Sequence, residues 1–158
     1  MNILGLDLTT IDSAAEFKLG TIAGDIGTAG SQKGYKYIKY ENGAAATAGV
    51  AGEVAYYATV AVGDATATIV TSDLSDSNSV GAGVLQASLT DGTYGWIQVK
   101  GIATLTIALT AGSDGDALTP TGAGDGTLDV NIATAANTDI CARAIDASAK
   151  IIMCDFVC

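Results

Sequence analysis

Short runs of Thr, Val, Ile and Tyr alternate with polar residues along this chain, and Gly, Asp and Asn cut them at regular intervals. Successive side chains of a strand point to opposite faces, so period-two runs bounded by turn residues predict many short strands. The pattern places strands at 35–40, 53–60, 66–71, 83–89, 94–100, 103–109, 127–132, 141–145 and 150–156. Turn chemistry separates them: "ENG" at 41–43, "VGD" at 62–64, "TDG" at 90–92, "GSDGD" at 112–116, "GDG" at 124–126 and "DAS" at 146–148. Such spacing predicts an all-β fold, a compact β-sandwich or β-barrel of short antiparallel strands.

One short helix fits the pattern near the N-terminus. In "TTIDSAAEFKLG", Thr10 would cap a helix starting at Ile11, Ser13 and Glu16 have capping-box spacing, and Gly20 supplies a stop. Residues 16–22 read equally well as an edge strand. The following "GTIAGDIGTAGSQKG" is too rich in glycine to fold alone, because it cannot bury enough apolar surface to offset its backbone entropy. Residues 1–34 are therefore expected to be an extended arm ordered by a partner, and residues 35–158 a β-rich domain. Within the arm, Ile3, Leu4 and Leu6 of "NILGL" offer an apolar anchor, and Ile22 and Ile26 offer spaced pegs.

A chain of 158 residues suits one domain, and its apolar runs fall far short of the about 20 residues that cross a bilayer as a helix. No basic region precedes the first apolar residues, so no secretory signal is expected. The net charge is -10, with 7 basic against 17 acidic residues. From Glu41 to Ala142 the sole cation is Lys100. An acidic body repels phosphate backbones, which argues against nucleic-acid binding. Cys141, Cys154 and Cys158 form an odd set near the C-terminus and do not suggest a disulfide framework. They read as buried thiols, with a Cys154–Cys158 bridge as the alternative.

Candidate chemistry is sparse. The chain has no His, which excludes His-based triads and Cys-His dyads and removes the commonest transition-metal ligand. Asp114 and Asp116 are spaced for oxygen ligation of calcium, but no EF-hand spacing follows, and Asp between glycines is ordinary turn chemistry. "GAGDGTLDV" at 122–130 lacks the tandem repetition of a calcium-binding β-roll and reads as a hairpin loop. "GTAGSQKG" lacks the Gly-Lys-Ser/Thr junction of a phosphate loop and reads as a tether. No catalytic residue, cofactor site or metal site is expected.

The aromatic residues carry more information. In "YKYIKY", Tyr35, Tyr37 and Lys39 share one face and Lys36, Ile38 and Tyr40 the other, so both faces are expected to meet protein. In "TYGWIQVK", Ile97 and Val99 share the core side, and Tyr94, Trp96, Gln98 and Lys100 share the opposite side. Trp96 then either closes one end of the core under a loop or forms a subunit contact, since Trp and Tyr are enriched at interface centres.

The segment "GAGVLQASLTDGTYGWIQVKGIATL", 81–105, resembles the central segment of tailed-bacteriophage head decoration (capsid cement) proteins. The pattern of that group is a "GV-x-Q/A" strand, a loop, then "YGW-[IV]-Q-V-x-G", matched here by Tyr94, Gly95, Trp96, Ile97, Gln98, Val99 and Gly101. "FKLGT", "GYKYIKY", "GDAL" and "ARAIDAS" are similar to other parts of such proteins, so the resemblance spans most of the chain. The insert "ENGAAATAGVAGEV" is longer than in the simplest members, which leaves the placing of the arm and first hairpin open. The resemblance implies a non-enzymatic β-rich protein, made in the host cytoplasm, that binds the exterior of a mature virion capsid through the major capsid protein, commonly as a homotrimer. Ile3, Leu4, Leu6, Ile22, Ile26, Tyr35, Tyr37, Tyr94 and Trp96 are the expected capsid or subunit contacts. The alternatives are an extracellular β-rich surface or pilin-like structural module and, third, a sugar-binding or enzymatic β-sandwich.

Overall fold

The computed structural model describes residues 2–3, 5–26, 32–44, 48–59, 67–132 and 139–157. Among these residues there is no α-helix. The strands are β1 (Asn2–Ile3), β2 (Leu6–Asp7), β3 (Ile22–Ile26), β4 (Gln32–Tyr40), β5 (Val54–Ala58), β6 (Ile69–Thr71), β7 (Ser77–Leu85), β8 (Tyr94–Thr104), β9 (Ala117–Thr119), β10 (Asp129–Val130), β11 (Ala142–Asp146) and β12 (Ile151–Asp155). One 3-10 turn, Leu74–Asp76, starts at Asp73, whose side chain accepts from the Ser75 N–H.

β1 and β2 form a small hairpin, Asn2 opposite Asp7 and Ile3 opposite Leu6. The other ten strands make one sheet in the order β10-β9-β11-β12-β8-β7-β5-β6-β4-β3. A further pairing of β8 with β4 closes β4, β8, β7, β5 and β6 into a ring. Closure gives each of those five strands a partner on both sides over part of its length, although β7 meets β8 only at Val84 and Leu85. One pair departs from the expected antiparallel pattern: β4 and β6 run parallel, with Lys39 opposite Ile69 and Tyr40 opposite Val70. β5 lies between them in the chain and pairs antiparallel to β6, so β6 returns in the direction of β4.

β8 joins the ring to the rest of the sheet. One edge pairs with β4 from Tyr94 to Lys100. The other edge is shared, β7 pairing at Ile97 and Gln98 and β12 pairing from Lys100 to Thr104. Beyond Gly101 the strand leaves the ring and carries a wing of β12, β11, β9 and β10. Gly101 has φ 88°, and a Cβ there would lie 2.4 Å from the Gln32 carbonyl oxygen, so glycine meets both the left-handed backbone and the close approach of β4. The Gln98 amide braces the bend, donating to the carbonyls of Lys100 at 3.1 Å and Ile102 at 3.0 Å. The two strands expected at 94–100 and 103–109 are thus one strand ending at Thr104. The Leu105 N–H turns instead to the Lys150 carbonyl.

Ring and wing share one core. Ile38, Tyr40, Val70, Val84, Leu85, Ile97 and Val99 from the ring pack in the same cluster as Ala103, Leu118, Ala142, Ala144, Ile152 and Phe156. Closure also buries Lys36 on the core side of β4. Its ammonium donates to the Tyr57 hydroxyl at 3.0 Å and the Ala67 carbonyl at 2.9 Å, and lies 5.0 Å from the centre of the Tyr57 ring.

The N-terminal segment departs from the arm reading. β3 pairs antiparallel with β4 over five residues, from Ile22 opposite Lys36 to Ile26 opposite Gln32, so the sheet begins well before residue 35. The helix expected from Ile11 is absent. Asp12 instead exchanges both backbone hydrogen bonds with Tyr94, at 3.0 and 2.9 Å, and Leu8 is buried. A tertiary partner for the backbone outweighs the local capping signals. Residues 27–31 of the expected tether lie outside the described residues, while Gln32–Gly34 belong to β4. β9 was not expected from the sequence, because "ALT" is too short to show a period. The loop expected at 122–130 connects β9 to β10, which pair as a hairpin.

Candidate functional site

The aromatic residues singled out by the sequence meet beneath the N-terminal segment. Tyr35, Tyr37, Trp96 and Leu8 form a second buried cluster on the far side of β4 and β8 from the main core, flanked by Leu6, Leu19, Ala23 and Tyr94. The register places Tyr37 opposite Trp96, with ring centroids 5.1 Å apart. Phe17 caps the pair edge-on, 5.3 Å from Tyr37 and 5.5 Å from Trp96, and Tyr94 stacks with Tyr37 at 6.4 Å. Backbone bonds from Gly20 N–H to the Tyr37 carbonyl and from Tyr37 N–H to the Thr21 carbonyl, both 2.9 Å, fasten the segment to β4.

The Tyr37 hydroxyl donates to Asp12 Oδ2 at 2.5 Å and accepts from the Glu16 N–H at 3.3 Å. Burial, and then the bond to Asp12, push its phenol up to about 12. Burial likewise raises the phenols of Tyr35, Tyr40 and Tyr56.

This arrangement corrects the contact assignment of three residues. Tyr35, Tyr37 and Trp96 are 0%, 0% and 1% exposed, so they cannot present a surface to a subunit or capsid while the N-terminal segment is in place. Of the two roles open to Trp96, closure under a loop is the one observed. Tyr94 and Leu6 are half-buried at the rim. Ile22, at 54%, is exposed on β3. Ile3 and Ile26 end strands β1 and β3, and Leu4 lies outside the described residues. The fact that β4 has aromatic residues on one face and a mixed set on the other was the sequence signal that both faces are covered.

The acidic turn residues serve the backbone. Asp114 Oδ1 accepts from Ala147 N–H at 2.9 Å, and Asp116 Oδ2 accepts from Ser113 N–H at 2.7 Å. Among the described residues, no group of three or more Cys, Asp or Glu is placed to hold a metal ion. Cys141 and Cys154 are buried free thiols, as expected. Burial pushes Cys154 up to about 12 and Cys141 higher still. Cys158 lies outside the described residues.

Two surface recesses were not legible in the sequence, because each gathers residues distant along the chain. Lys33 and Gly34 of β4, Lys100 of β8, Arg143 of β11 and Met153 and Asp155 of β12 line an open cleft of about 510 Å³. A second recess, beyond the other end of β4, is lined by Glu41, Asp76 and Asp91 together with small residues.

No protein-family model, no curated protein and no solved structure matches this chain. Among the described residues, no helix is long and apolar enough to cross a membrane.

Proposed function

We propose that this chain is a structural virion protein, a decoration or cement protein that binds the outer surface of a mature tailed-phage capsid and stabilises it, acting as a homotrimer. One observation carries the reading. The motif shared with that group, Tyr94 to Gly101, falls on β8, the strand that closes the ring, carries the wing and supplies Trp96 to the second core. Each motif position then has a structural duty. Tyr94 takes the Asp12 backbone, and Gly95 leaves room for Leu89, whose side chain would stand 2.9 Å from a Cβ at that position. Ile97 and Val99 fill the main core, Gln98 braces the bend, and Gly101 permits it. A resemblance seated on architecture supports a shared scaffold. In this reading the partner is the major capsid protein, the place of assembly is the host cytoplasm, and the protein is not an enzyme and needs no cofactor, nucleic acid or membrane.

The test is to mix the purified chain with expanded, undecorated heads of the phage that encodes it and with unexpanded heads as control. Saturable co-sedimentation with expanded heads, and a rise in the temperature at which they release DNA, are expected. Absence of binding at concentrations above about 10 μM, where even an interaction of about -7 kcal/mol is half saturated, would overturn the reading.

A further inference from the structure

The protein has 7 Lys and Arg residues in all, and three of them, Lys33, Lys100 and Arg143, meet in the cleft between β4, β8 and β11. Asp155 is the carboxylate among the lining residues. It stands 3.8 Å from Lys100, with both side chains largely exposed, so water and salt screen the pair and it neutralises Lys100 little. Asp25 lies opposite Lys33 across β3. The cleft is also apolar. Met153 and Ile140 line it, 39% and 48% exposed, and beside it Ile102, 43% exposed, stands opposite Met153 in the cross-strand register. A basic and apolar face on a molecule of net charge -10 is complementary to the rest of its own surface.

The complement lies at the far end of the same strand. Glu41 directly follows β4 and, with Asp76 and Asp91, lines a recess whose lining includes no basic residue. Lys39 pairs with Glu41 at 3.1 Å, which leaves Asp76 and Asp91 without a cation in the lining. β4 spans nine residues, and at about 3.3 Å per residue its ends stand about 25 to 30 Å apart. The two faces cannot meet within one copy, but they can meet between copies.

We propose that copies of this chain associate head to tail, the exposed turn at Asp91 that borders the acidic recess of one copy entering the basic and apolar cleft of the next. Such a contact is heterologous: it closes into a ring if the rotation between copies allows and otherwise propagates. The proposal gives surfaces to the self-association in the reading above and requires nothing of the capsid.

The test uses pure full-length protein without heads, so its outcome is separate from that of head binding. Sedimentation velocity at about 50 mM salt should show species larger than the monomer that dissociate by about 500 mM, where the screening length falls to a few ångströms. A Lys100→Glu and Arg143→Glu variant carries two acidic ends. A Glu41→Lys and Asp91→Lys variant carries two basic ends. Each should be monomeric alone, and mixing the two should restore acidic-to-basic contacts in alternating order, giving even-numbered species and not the closed ring of three, whose odd number of contacts cannot alternate. Because Glu41 pairs with Lys39 and Asp91 Oδ1 accepts from the Asn42 N–H, a Glu41→Gln and Asp91→Asn variant, which keeps an oxygen acceptor at each position and removes both charges, serves if the double variant melts early, and it too should be monomeric. A chain that is monomeric at every salt concentration, variants that assemble like the parent, or a mixture that stays monomeric would each overturn the proposal. Binding of the basic cleft to an unrelated acidic protein while the chain itself stays monomeric would overturn it too.

Discussion

Trp96 is the largest fully buried side chain, and it lies on the side of β8 away from the main core. Its partners come from β4 and from the N-terminal segment, so its removal loosens three parts of the chain at once. Trp96→Ala should cost about 3 to 5 kcal/mol in denaturant unfolding followed by circular dichroism, and Trp96→Phe distinctly less. A cost below about 1 kcal/mol for the alanine variant would show that the second cluster is not a core. The phenols give a pH signature at the same scale. Tyr37 moves from the ordinary 10.0 to about 12 in the folded protein, so the folded state holds its proton more tightly than the unfolded chain. That contribution is whole below about pH 10 and is lost as pH rises through about 12, when the unfolded chain ionises first. Melting temperature should therefore fall steeply between these values, and Tyr37→Phe should flatten part of the fall. An unchanged profile in that variant would place the alkaline sensitivity elsewhere.

At the scale of elements, the segment from β2 to β3 is a cover. Leu8 and Asp12 are buried, the Asp12 backbone pairs with Tyr94, and Gly20 and Thr21 bond to both sides of Tyr37. Deleting residues 1–21 would open Tyr35, Tyr37 and Trp96 to water. Large aromatic side chains carry about 150 to 250 Å² each, so the truncated chain should melt markedly earlier and bind a hydrophobic dye in its native state. A truncated chain with the parent's melting temperature would restore the arm reading. The capping signals at Thr10, Ser13 and Glu16 were real local preferences, each worth about 1 kcal/mol or less, and the contacts with β4 and β8 outweigh them.

The whole molecule offers a probe of global unfolding in its buried thiols. Cys141 and Cys154 face the core shared by ring and wing, and burial keeps both protonated at neutral pH. In a Cys158→Ser background, a thiol reagent should label both at one common rate that matches the unfolding rate; faster labelling of Cys154 alone would reveal local opening of β12. The self-association and head-binding experiments belong to this scale as well, since both ask how surfaces from distant strands act together. The sequence by itself determined the all-β class, most strands of the ring and wing, the turn duties of Asp114 and Asp116, and the inward faces of Ile97 and Val99, because period-two alternation and turn chemistry are local. The tertiary structure alone decided the closure of the ring through β4 and β8 and the parallel β4–β6 pair, since neighbouring strands are not marked in the chain. It also decided the fate of Trp96 and of the N-terminal segment. A strand with aromatic residues on its second face requires a cover, but which residues provide it depends on contacts made across the fold.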